Sequence, residues 1–124
     1  MYLNAGDLTP AGRTPTILIV EDTDWIRSGM KQAAERCGYL VAEAKDESEA
    51  VAVAQQQAPD LVVTEERLPD FENLCTSVRE HPAFHHVAIV IVDPDATEGT
   101  RKGHAFVVKD FESLAPLLPP RDRN

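Results

Sequence analysis

Thr16-Ile17-Leu18-Ile19-Val20 is an unbroken apolar, mostly β-branched run that stops abruptly at Glu21-Asp22. It is too short for a helix, and no polar residue alternates through it. It therefore reads as a strand with both faces buried, the kind found in parallel sheets covered by helices on both sides. Just downstream, Ile26, Met30, Ala33, Ala34 and Cys37 fall at i, i+4, i+7, i+8 and i+11, which is one face of a helix. Thr23 or Asp24 can cap its start, and Gly38 can end it.

The same alternation continues along the chain. Tyr39 to Glu43 reads as a weaker second strand. Asp46 followed by Glu49 resembles a capping box opening a helix whose face is Ala50, Val53 and Ala54, and Pro59 closes that unit. Leu61 to Thr64 is a third strand. Phe71, Leu74, Cys75 and Val78 mark a short helix that ends before Pro82. Val87 to Val92 is a fourth strand and Ala105 to Val108 a fifth. Phe111, Leu114, Leu117 and Leu118 suggest a last helix that Pro116 should kink or shorten. Strands alternating with helices predict an α/β fold, a doubly wound parallel sheet.

Composition sets the outer limits. The 124 residues suit one domain, 43% hydrophobic and 27% charged. Residues 1–15 read as a flexible N-terminal extension, 16–118 as the domain and 119–124 as a tail, with no output domain expected beyond. The net charge of −9 disfavours nucleic acid and anionic lipid as partners, although acidity also simply keeps small proteins soluble. Two cysteines, Cys37 and Cys75, form no CxxC pair, and no apolar run reaches the length of a membrane span. With no signal peptide in residues 1–15, the expected location is the cytoplasm.

In a doubly wound sheet the ligand crevice lies beyond the carboxyl ends of the strands. The residues there are Glu21, Asp22, Glu65, Asp93 and Lys109. Carboxylates about 5 Å apart repel by roughly 3 kcal/mol per pair at an effective dielectric near 20. Such a cluster calls for a cation, either Lys109 or a divalent metal, and oxygen-only ligands suit Mg²⁺. The plain alternative for each residue is an ordinary polar group at a strand end.

Four blocks carry a resemblance: Ile17-Leu18-Ile19-Val20-Glu21-Asp22, Pro59-Asp60-Leu61-Val62-Val63-Thr64-Glu65, Leu68-Pro69-Asp70 and Val107-Val108-Lys109. In this order they resemble the signature blocks of receiver domains in two-component (phosphorelay) signalling, over about residues 16–118. The resemblance implies the flavodoxin-like fold of the chemotaxis regulator, with five parallel strands in order 2-1-3-4-5. It implies that Glu21 and Asp22 match the acidic pair that helps hold Mg²⁺. Glu65 falls at the phosphoacceptor aspartate, and Arg67 where a backbone carbonyl completes the metal site. Asp93 falls at the hydroxyl-bearing switch position, Lys109 at the lysine that contacts the phosphoryl group, and Phe106 at the aromatic switch position.

The departures shape the functional expectation. A glutamate at 65 carries its carboxylate about 1.5 Å further out than an aspartate would, within reach of Lys109 without phosphorylation. A displacement of about 1 Å can cost in-line transfer on the order of a hundredfold. Asp93 lacks a hydroxyl and would repel a phosphoryl oxygen. Lys109 follows Asp93 by only 16 positions, and the stretch between them includes Pro94, Gly99 and Gly103. A full helix of about three turns does not fit there, so the helix between strands 4 and 5 should be shortened or missing, and the last helix short.

The reading that follows is a degenerate receiver, a pseudo-receiver. It is a protein–protein interaction module independent of phosphorylation, with no enzymatic activity, weak Mg²⁺ at Glu21, Asp22 and Glu65, and a histidine kinase or another signalling protein as partner. One alternative is a working phospho-switch on Glu65 or a displaced carboxylate such as Asp70. Another is a small-ligand protein of flavodoxin-like topology, although Glu21-Asp22-Thr23-Asp24 is hostile to phosphate and lacks a glycine loop. His81, His85, His86 and His104 read as solvated, with Pro82 breaking any ligand spacing. Cys37 and Cys75 read as core filler on opposite faces of the sheet. Trp25 is a partner contact, a lid, or partial packing on the first helix.

Overall fold

The computed structural model describes residues 14–65, 67–96 and 105–117, together with the backbone of 101–102. The expected extension up to residue 13, and Gly99, Gly103, His104, Leu118 and the tail 119–124, lie outside the described residues. The elements in chain order are β1 (Thr16–Val20), α1 (Asp24–Arg36), β2 (Leu40–Ala44), α2 (Glu47–Gln56), β3 (Leu61–Thr64), α3 (Phe71–Glu80), β4 (Ala88–Val92), β5 (Arg101–Lys102) and β6 (Ala105–Val108). A 3₁₀ turn, Pro82–Phe84, follows α3, and a 3₁₀ segment, Phe111–Leu117, follows β6. The sheet runs β2-β1-β3-β4-β6-β5. Its first five strands are parallel and give the 2-1-3-4-5 order, the fifth parallel strand being β6. The two-residue β5 adds an antiparallel edge that the sequence pattern did not reveal.

Side chains of β1, β3 and β4 leave alternately for the two faces and are buried on both, as the unbroken apolar runs require. Leu18, Val20, Val62, Ile89 and Ile91 join Ala50, Ala54, Leu74, Cys75 and Val78 under α2 and α3. Ile17, Ile19, Leu61, Val63 and Val90 join Ala34, Phe111 and Leu114 on the other face, where Met30, Ala33 and Cys37 of α1 also pack. The two cysteines are unpaired and lie on opposite faces; burial is the leading cause that pushes both thiols above the usual range, as befits inert filler.

Local chemistry sets the element ends. Gly38 takes φ +90°, a left-handed stop that favours glycine. Asp46 accepts the Glu49 N–H at 2.8 Å, while the Glu49 carboxylate reaches back one residue further than the usual box, to the Lys45 N–H at 2.8 Å. Thr23 is the N-cap of α1 but makes no side-chain cap bond. Among the described residues between β4 and β6 there is no helix, and the last segment is 3₁₀ rather than α, with Pro116 inside it.

Candidate functional site

Strand register decides which side chains meet. Ile17 pairs with Leu61, Thr64 with Ile91, and Val92 with Val108, so the ends of β1, β3, β4 and β6 share one rim. The Glu21 N–H extends the β1–β2 ladder to the Ala44 carbonyl at 3.0 Å, and the Asp93 N–H extends β4–β6 to the Val108 carbonyl at 2.8 Å. Glu21, Glu65, Asp93 and Lys109 each therefore stand just beyond a strand end.

Glu21 is the most enclosed of them, 2% exposed. Its Oε2 accepts the Thr23 N–H at 2.9 Å, and its Oε1 is buried without a hydrogen-bond partner. Burial raises its pKa from 4.5 to about 7; the Thr23 bond opposes that, and the neighbouring Asp22 and Glu65 carboxyls reinforce it. Asp22 is exposed and accepts a long 3.5 Å bond from the Thr23 hydroxyl.

Glu65 opens the loop between β3 and α3, which is held by two successive turns: Leu68 N–H to the Glu65 carbonyl at 3.1 Å and Phe71 N–H to the Leu68 carbonyl at 3.0 Å. The loop brings Arg67 beside Glu65, Nη2 to Oε1 at 3.6 Å. Here the structure differs from the sequence reading, which turned Glu65 towards Lys109. Lys109 is exposed, and Glu65 pairs with Arg67 instead. A cation two residues away in a tight loop needs less ordering than one on another strand. The Arg67 side chain is 85% exposed and loosely held, in keeping with the solvated side chain expected from the sequence.

Asp93 and Glu65 line one cleft of about 340 Å³, together with Arg67, Ile91, Val92, Pro94 and Asp95. Asp93 Oδ1 accepts the Asp95 N–H at 3.0 Å, a small Asx turn that fixes its carboxylate. Phe106 is partly buried against the cluster under α1. Asp70 lies elsewhere: its Oδ2 accepts the Glu47 N–H of α2 at 2.8 Å, and its Oδ1 is buried without a partner. Trp25, 78% exposed, does not pack on α1. The His85 and His86 ring centroids lie 3.8 Å apart with the rings tilted by 48°.

Sequence reading missed Arg27. Its Nη1 donates to the Glu21 carbonyl at 2.7 Å, its Nη2 pairs with Asp24 at 2.7 Å, and its Nε lies 3.4 Å from Glu43. One guanidinium thus ties the acidic loop to α1 and β2. The signal was present in the i, i+3 spacing of Asp24 and Arg27.

The all-oxygen donors suit a hard cation in kind, and the orphaned Glu21 Oε1 asks for a positive neighbour. The arrangement does not fit a resident ion. Among the described residues no three Asp, Glu, His or Cys side chains are grouped to hold a metal, and Glu21 hooks one oxygen back onto its own loop.

The fold and the acidic rim define a class, the doubly wound α/β domains with an acidic crevice at the strand ends. Residues 17–113 match the response regulator receiver domain family, and the chain belongs to it. It is 35% identical over 108 residues to the probable transcriptional regulatory protein TcrX of Mycobacterium tuberculosis, covering 81% of this chain and 45% of that protein. It is 31% identical to the transcriptional regulatory protein PdtaR of the same species, covering 83% of this chain and 53% of that protein. The chain thus spans about half the length, or less, of the curated relatives it matches. Among solved structures, a chemotaxis protein CheY4 of Vibrio cholerae shares the fold with a TM-score of 0.66 at 21% identity, over 85% of this chain and 96% of that one. The receiver domain of a sensor histidine kinase of Pseudomonas aeruginosa, with magnesium in its active-site cleft, gives 0.65 at 23% identity over 85% and 94%. Receiver domains serve two-component signalling through contacts with histidine kinases and other signalling proteins. No helix among the described residues is long and apolar enough to cross a membrane.

Proposed function

We propose that this chain is a pseudo-receiver: a phosphorylation-independent module that signals by binding a protein partner, a histidine kinase or another signalling protein, in the cytoplasm. The observation that carries the reading is the occupancy of the acceptor position. Glu65 stands there with its carboxylate already beside the Arg67 guanidinium, and Asp93, a second carboxylate, lines the same cleft where a hydroxyl would be needed. An incoming phosphoryl group would meet like charge from both. In this reading Lys109 and Phe106 keep their family positions without a phosphoryl group to answer, and Mg²⁺ at Glu21, Asp22, Glu65 and the Arg67 carbonyl is a weakly held, exchanging ion and not a resident one.

The competing phospho-switch has its acceptor on Glu65 or Asp70. Against Asp70 stands its engagement with the Glu47 N–H and the burial of its other oxygen. Incubation with a small-molecule phosphodonor and Mg²⁺, followed by intact-mass measurement, separates the two. No added phosphoryl mass is expected. An acid-stable, base-labile adduct lost in Glu65→Ala or Asp70→Ala would overturn the proposal.

A further inference from the structure

The cleft beside Glu65 has its charge inverted for a phosphate receptor. Among the described residues, three carboxylate residues, Glu65, Asp93 and Asp95, line it against a single guanidinium, Arg67. Beside Glu65 the enclosed Glu21 carries a buried Oε1 with no hydrogen-bond partner, and the nearby Glu65 carboxyl makes its ionisation costlier still. Arg67 is a weak answer: it reaches one Glu65 oxygen at 3.6 Å and is otherwise in solvent. The rest of the lining is apolar, from Ile91, Val92 and Pro94. An apolar wall with a carboxylate rim suits a side chain with a hydrocarbon stem and a cationic head. At about 340 Å³ the cleft sits near the lower end of ligand-site volumes, which run from about 300 Å³, and suits a side chain rather than a nucleotide.

We propose that this cleft is a socket for a lysine or arginine side chain presented by a protein partner. The proposal rests on the pseudo-receiver reading and supplies its partner chemistry: a basic anchor drawn to a chain of net charge −9. Arg67 is then the internal competitor that the partner's cation displaces from Glu65. That assignment fixes a sign. Removing Arg67 frees Glu65 and takes a like charge out of the cleft, and both effects raise the affinity for a cation.

The test is a titration of the ¹⁵N-labelled chain with a blocked alanine pentapeptide bearing one central lysine, against the same peptide with norleucine there. The expected result is saturable amide shifts confined to Glu65, Arg67, Ile91, Val92, Asp93 and Asp95, absent with norleucine. Asp93→Asn should weaken binding about tenfold. Arg67→Ala, at an exposed position that leaves folding intact, should tighten it about two- to fivefold. Equal response to norleucine, shifts spread over the whole acidic surface, or unchanged or weaker binding in Arg67→Ala would overturn the proposal. So would n-butylamine binding as tightly as the peptide, which would give the cleft to free amines. MgCl₂ alone producing the same shifts and displacing the peptide would give it to a divalent cation. A phosphoryl adduct in the mass assay would instead sink the pseudo-receiver reading, so the two failures are told apart.

Discussion

The half of the sheet carrying β2, β1 and β3 and the half carrying β4, β6 and β5 are held in different ways. In the first, each strand is followed by an α-helix, and α2 and α3 are tied to one another. Asp70 binds the α2 N-terminus, and the Ser77 hydroxyl donates to the Glu47 carboxylate. In the second, among the described residues, β4 leads to an Asx turn and a two-residue antiparallel strand, and β6 leads to a 3₁₀ segment capped by Asp110 through the Ser113 N–H at 3.0 Å. Ladder hydrogen bonds persist in both halves, but interlocked α-helical cover is found only in the first. The site lies on the seam, with Glu21 and Glu65 on the locked side and Asp93 and Lys109 on the other. A rim built this way can hold its acids still while the opposite lip adapts to a partner.

The largest expected effect probes that difference with identical chemistry. Leu74 in α3 and Leu114 in the 3₁₀ segment are both fully buried. Leucine-to-alanine cost depends on how far the surroundings collapse into the void. Leu74→Ala, between interlocked helices and the sheet, should lose about 4 kcal/mol, and Leu114→Ala, under a single loosely held segment, about 2 kcal/mol. Urea unfolding of the two variants checks the gap. Equal losses would mean that the second half is packed as rigidly as the first.

The next effect belongs to Glu21 and depends on pH. Its carboxyl titrates near 7 in the folded chain against 4.5 when free, chiefly because it is buried. The unfolded chain therefore gives up this proton first as pH rises. The stabilising contribution is complete below pH 4.5 and is lost through pH 7. The full swing is on the order of 3 kcal/mol. Glu21→Gln has no proton to lose, so its stability relative to the parent should improve steadily from pH 4.5 to 8, read from denaturant midpoints at each pH. A constant difference would show that Glu21 is already neutralised by something other than a proton, which would reopen the metal site.

Sequence pattern reached the first half almost residue by residue, because strands buried on both faces and capped amphipathic helices write themselves in short-range spacing. β3 and the Ala105–Val108 strand match their expected bounds, and β2 and β4 shift by one residue. The missing helix after β4 was legible as a length deficit with Pro94 inside it. What replaced it, the pairing of Arg101–Lys102 with β6, was not, since two residues carry no periodicity. The rim was legible as positions, for topology alone brings four strand ends together. Its pairings were not. Arg67 rather than Lys109 beside Glu65, and Arg27 across Glu21, Asp24 and Glu43, are choices among competing cations that only side-chain geometry settles.

The smallest effect tests whether the locked half behaves as a unit. Asp70 heads α3 yet gives its own helix no side-chain cap; its Oδ2 serves the first N–H of α2 instead. A carboxylate at a helix N-terminus contributes through the hydrogen bond and through the helix dipole. Asp70→Ala should therefore cost about 1 kcal/mol, softened because the unpartnered Oδ1 leaves with it. Asp70→Asn, which keeps an acceptor but loses the charge, should cost about half as much. Hydrogen exchange carries the sharper reading. Amides of Glu49 to Val53 in α2 and of Ser77 to Glu80 in α3 should exchange faster together in Asp70→Ala, because Glu47 is bonded to both Asp70 and Ser77. Amides of β6 should keep their parent rates. If β6 accelerates as much as α2, the tie is not confined to the first half, and the sheet opens as one body from edge to edge.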